Sequence, residues 1–184
     1  MDNAKGGKMM KSDAGEESGL SAICQNLAEY AVDREDITAL IKTLPRDRDI
    51  NTVTVDYELQ LLKIVSVGWS LSAFMTDHPD KIRAAEVFWR LIRDFSKDIS
   101  NVTGLMIGQT IDYFQLLKER LDYYVASLDR AVKTDDPASA IGPAFAASCK
   151  AGDDPFVTIT GARMFNYTSA AVKDYLGSQG LSTS

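Results

Sequence analysis

Few residues of this chain have types and spacings suited to chemistry. Its one histidine, His78, stands close to Asp77 and Asp80, a grouping that could hold a metal if another helix supplied ligands. A structural zinc centre draws four ligands from cysteine and histidine. Here Cys24, Cys149 and His78 are the whole supply, and they lie far apart. The HxxxH and ExxH spacings of metalloproteases and di-iron bundles are missing. His78 is read as a helix cap or surface residue, and no metal or cofactor is expected.

Lys150 follows Cys149 and could lower its thiol pKa, but no base is placed beside it. Both cysteines are read as small buried thiols. Asp112, Glu119 and Asp122 could share a helix face, and paired carboxylates do acid–base work when buried. Lys118 and Arg120 stand among them, so a solvated face is the expectation. Arg83, Arg90, Arg93 and Lys97 are interleaved with Glu86, Asp94 and Asp98, which makes mixed surface pairs rather than a phosphate-binding stripe. No catalytic residue is named.

Glycine offers no phosphate cradle. Gly68 lies in VSVGWSLS, and Gly104 and Gly108 lie in VTGLMIGQT; none belongs to a nucleotide-binding fingerprint. Close helix–helix contact is their first reading, and space for a ligand the second. Trp69, Trp89, Tyr113, Phe114, Tyr123, Tyr124, Tyr167 and Tyr175 could line a space between helices, with Ser70, Thr103, Gln109 and Thr110 as polar fixers. Ordinary packing accounts for the same aromatics. The candidates carried forward are Trp69, Thr103, Gln109, Tyr113 and Tyr167.

These residues must be positioned by helices. In KIVSVGWSLSAFM, Lys63 to Met75, the first residue is the only charged one. A spanning helix needs about 20 apolar residues, so this run reads as a core helix within a block from Val53 to Thr76. Leu62, Val65, Trp69, Ser72 and Thr76 form one stripe, and Leu61, Ile64, Gly68, Leu71 and Met75 an adjacent one. Both stripes call for burial, which predicts a central helix covered on most sides. Val53, Val55 and Tyr57 alternate briefly and leave a short strand open.

Before it, Leu20 to Thr43 reads as one helical block, followed by the charged loop LPRDRDI. After it, Pro79 opens a proline-free block reaching to about 133. This is either one long or bent helix of about 50 residues, near 75 Å if straight, or two antiparallel helices broken near Asn101–Gly104. Asp136–Pro137 and Asp154–Pro155 are cap-plus-proline starts. The first opens a small-residue helix expected to be interrupted at Pro143. The second opens the last helix, with a strand possible at ValThrIleThr.

The chain has 184 residues and a formal charge of −6. That length buries a core without disulfides or metals, and the acidity gives no general help in approaching nucleic acid or an anionic bilayer. The expected organisation is a disordered tail over 1–18, a single helical domain over 19–177 and a flexible tail over 178–184. With no apolar run behind its first lysines, the chain is expected to be cytoplasmic. No family motif can be placed on these residues. The expected fold is all-α, four to six helices with the 79–133 block as spine. The expected function is a non-enzymatic, oligomeric interaction protein that docks partners through an apolar helix face. The competing reading is a small-molecule-binding bundle, sensor or enzyme, with a pocket between the second helix and Val102–Thr110. Nucleic-acid binding is not expected.

Overall fold

A computed structural model describes residues 9–107, 112–130, 136–152 and 154–182, with side chains for 18–98, 112–129, 136–152 and 154–182. Seven helices lie among these residues: α1 (Met9–Val32), α2 (Glu35–Ile41), α3 (Thr52–Phe74), α4 (Lys81–Ile107), α5 (Tyr113–Arg130), α6 (Ala138–Ser148) and α7 (Pro155–Ser178). The fold is an all-α bundle. Only Asp33 and Arg34 separate α1 from α2, so these two act as one bent helix and the bundle has six members.

α3 is the axis, and it packs against each of the other six helices. The two apolar stripes of its sequence account for this: Leu59, Leu61, Leu62, Ile64, Val67 and Leu71 are all buried. The short alternation at Val53–Tyr57 is helical, because Asn51 caps the first turn through a bond from the Thr54 N–H to its Oδ1 (3.1 Å). ValThrIleThr is helical too. Asp154 Oδ1 accepts from the N–H groups of Phe156 (2.8 Å) and Val157 (3.1 Å), with Pro155 in the first position, where its missing N–H costs nothing.

The block after Pro79 holds two helices, α4 and α5, rather than one long or bent helix. α4 and α5 pack against each other, which no continuous rod allows. α4 continues through Asn101–Gly104 to Ile107, so the expected break there lies further on. Asp112 opens α5, its Oδ1 accepting from the Gln115 N–H (2.9 Å).

Two other expectations are corrected. The Leu20–Thr43 block is split at Asp33–Arg34. α6 runs unbroken through Pro143; Pro143 and Ser139 both face solvent, so water can satisfy the carbonyl that the proline leaves free.

Glycines set the closest helix contacts. A Cβ on Gly68 would meet the Trp89 ring, which seats α4 on α3. One on Gly142 would lie 2.9 Å from the Thr158 carbonyl oxygen, and one on Gly161 would lie 2.5 Å from Phe145. The last two sit at the α6–α7 seam.

Candidate functional site

α3 carries two ionised groups into the interior. Lys63 is completely buried. Its Nζ lies 2.9 Å from Asp36 Oδ2 and 3.8 Å from Asp33 Oδ1, and it donates to the Asp33 carbonyl at 3.0 Å. It also stands 4.3 Å from the centroid of the Tyr30 ring. The break between α1 and α2 makes this possible. Asp33 Oδ1 accepts from the Glu35 N–H (3.0 Å), the chain turns, and both carboxylates face one ammonium. One turn back, Gln60 donates to the Ala31 carbonyl (3.0 Å) and accepts from Arg34 (3.2 Å).

On another side of α3, the buried Glu58 carboxylate accepts two bonds from Arg120 of α5, from Nε (2.7 Å) and Nη2 (2.6 Å). These hydrogen bonds push the guanidinium pKa above its ordinary value despite desolvation. Tyr57 and Tyr113 meet edge to face beside this pair, ring centroids 6.1 Å apart. Burial raises the Tyr113 and Tyr124 hydroxyls well above their ordinary range.

Neither ionised group faces an open space with its charge unspent. Lys63 and Glu58 are neutralised where they stand, and they tie the α1–α2 bend and α5 to the axis. The thiols are equally quiet. Cys24 donates to the Ala84 carbonyl (3.5 Å), and desolvation pushes Cys24 up to about 11 and Cys149 up to about 12. Both therefore stay protonated near neutrality and are poor nucleophiles.

One open feature lies beside α7. α1 and the C-terminal half of α7 leave a cleft of about 240 Å³ between them, floored by Leu27 and Val172 and walled by Tyr30, Ala171 and Tyr175. Asn26 Nδ2 donates to the Tyr175 hydroxyl (2.8 Å) across it. Beside the cleft runs the outer face of α7. Phe156 (40 % exposed), Ile159 (50 %) and Tyr167 (58 %) lie on this face with Arg163, Ala170 and Asp174, all exposed. Their spacings of three, four and seven keep them on one side of the helix. α6, α3 and α2 occupy its other sides.

The sequence candidates stand apart. Trp69 packs on Phe165, centroids 5.3 Å apart, in the α3–α7 seam. Tyr113 is buried against Tyr57, twelve positions earlier on α3 than Trp69, which is about 18 Å along a straight helix. Tyr167 is on the outer surface. Thr103, Gln109 and the rest of VTGLMIGQT lie outside the described side chains. His78 caps the turn before α4, its Nδ1 accepting from the Asp80 N–H (3.2 Å). Among the described residues, no group of three or more His, Cys, Asp or Glu could hold a metal. Asp112, Glu119 and Asp122 are exposed, on the solvated face their neighbours implied.

Sequence reasoning missed the Lys63 and Glu58 clusters. Their signal was present: both charges stand inside a helix whose two apolar stripes call for burial, and a charge carried into the core has to find a partner within the bundle. It also missed the outer face of α7, where Tyr167 was read as lining a space between helices. Among the described residues, no helix is long and apolar enough to cross a membrane. Comparisons with protein-family models, curated proteins and solved structures find no match to this chain.

Proposed function

We propose that this chain is a non-enzymatic interaction protein that assembles through the outer face of α7, with a second copy of itself as the primary occupant. The observation that carries this reading is the self-complementary order of residues on that face. A two-fold interface requires that when residue i meets j, j also meets i. Arg163 and Asp174 lie near either end of a stretch whose middle holds Tyr167 and Ala170. In an antiparallel pairing of two α7 helices about an axis between Tyr167 and Ala170, Arg163 faces the partner's Asp174. Tyr167 then lies over the partner's Ala170, a residue small enough to admit the ring.

The face is also chemically suited to burial. Exposed Phe, Ile and Tyr beside one Arg are the residue types that anchor protein interfaces. The protonated thiols and internally neutralised Lys63 and Glu58 supply no acid, base or nucleophile for an enzymatic alternative.

Charge exchange tests the pairing. Arg163→Glu alone should place like charges together at two symmetry-related sites and weaken the dimer by about tenfold or more. Asp174→Arg alone should do the same. The double exchange should restore association, as measured by sedimentation. A double variant no better than either single would contradict the register.

A further inference from the structure

A second surface feature lies where α2 runs through the loop LPRDRDI into α3, beside the Phe156 end of the outer face of α7. Here a cleft of about 380 Å³ is lined by Ile41, Lys42, Leu44, Pro45, Arg46, Arg48, Ile50 and Thr52. Leu44 is buried, and Ile41, Pro45 and Ile50 are half-buried, so the floor is apolar. The polar part of the lining is three cations and a hydroxyl. The alternation Arg–Asp–Arg–Asp at 46–49 produces this sorting: both arginines line the cleft, while Asp47 and Asp49 do not.

The three cations differ in their freedom. Arg48 is held in place, 5.0 Å from the centroid of the Phe156 ring and 3.8 Å from Asp154 Oδ2. Lys42 and Arg46 have no ion-pair partner among the described residues, in a chain whose net charge is −6. Among the described residues, Asp154 is the carboxylate that pairs with this group, and its other oxygen is committed to the α7 cap. An apolar floor with unpaired cations at its edge favours a ligand of matching halves.

We propose that this cleft binds a small amphiphilic anion: a carboxylate or phosphate-ester head on a short apolar body. The head meets Lys42 and Arg46, whose ammonium and forked guanidinium suit such oxygens. The body covers Leu44, Pro45 and Ile50, and its burial is the second half of the recognition. Arg48, already stacked on Phe156, forms the fixed wall, and the Thr52 hydroxyl is a further donor. The proposal does not rest on the assembly of α7, and either can fail without the other.

Calorimetric titration of the full chain with octyl phosphate tests it. Saturable one-to-one binding is expected. Octanol, which lacks the head, and inorganic phosphate, which lacks the body, should each bind about tenfold more weakly or worse. The Lys42→Gln/Arg46→Gln double variant should lose octyl phosphate binding by about tenfold or more while keeping the octanol response. Both side chains are exposed and unpaired, so the variant should melt like the parent. Equal affinity for octanol and octyl phosphate would overturn the proposal. So would unchanged octyl phosphate binding in the double variant, or no saturable binding by the parent.

Discussion

The single residue that most shapes this molecule is Lys63. An ammonium at 0 % exposure is tolerable only while Asp36, Asp33 and the Asp33 carbonyl surround it. The two carboxylates are about half exposed, and this asymmetry makes a prediction. Asp33→Asn/Asp36→Asn strands a charge in the core and should cost about 3–5 kcal/mol. Lys63→Met strands two carboxylates that water can reach, and should cost only about 1–2 kcal/mol. Urea denaturation of the two variants checks the order; an equal or reversed cost would show that Lys63 does not depend on these partners. The need for a partner was legible in the sequence, since Lys63 opens thirteen residues with no other charge. Its identity was not, because it depends on the bend at Asp33–Arg34, and the sequence reads through that point as one helix.

The thiols give a second residue-scale prediction. Desolvation raises Cys24 to about 11 and Cys149 to about 12 from an ordinary 9.0. Above pH 9 the folded chain keeps protons that the unfolded chain has lost. The unfolded state then binds fewer protons, so stability is full below that pH, falls through the interval and levels off above the folded values. Thermal melts between about pH 8 and 11 should show the decline, and Cys24→Ala/Cys149→Ala should make it shallower. An unchanged slope would place the loss elsewhere, with the buried tyrosines the next groups of the same sign.

At the scale of elements, glycine does what its spacing suggested at Gly68, where the Trp89 ring fills the missing Cβ. Gly142 and Gly161 play the same part between α6 and α7, the seam that sets how α7 lies on the bundle. Replacing a helical glycine with alanine ordinarily gains about 1 kcal/mol. Gly161→Ala should instead lose about 1–3 kcal/mol, because the new methyl meets Phe145 at its Cβ and cannot be avoided by a ring rotation. Gly68→Ala should lose less, since a half-buried Trp89 ring can shift. Chemical denaturation separates the two, and a stabilised Gly161→Ala variant would contradict the packing described for this seam.

Helix starts were legible where Asp and Pro stand together, at Asp154–Pro155 and Asp136–Pro137. The division into α4 and α5 was less so: helical spacing persists on both sides, and periodicity cannot say whether one helix continues or two pack together. Pro143 misled for a related reason. A proline disrupts a helix through a lost bond and a clash, and on an exposed face water takes up the lost bond.

At the scale of the whole molecule, α3 takes the centre because both of its faces are apolar, and the remaining helices cover it. That much follows from the stripes of Leu, Ile and Val between residues 59 and 71. The outer face of α7 was not separable from core in the sequence. Phe156, Ile159 and Tyr167 keep the same helical spacing as Val157, Met164 and Val172, and only the positions of α2, α3 and α6 decide which set is covered. Left in water, these residues present aromatics flanked by a matched cation and carboxylate. The measurement that tests this most directly is sedimentation equilibrium across micromolar concentrations for the parent chain, Arg163→Glu, Asp174→Arg and the double exchange. The account predicts a reversible dimer for the parent and the double exchange, with weaker association for each single variant. A parent that remains monomeric throughout, or a dimer indifferent to all three variants, would contradict it.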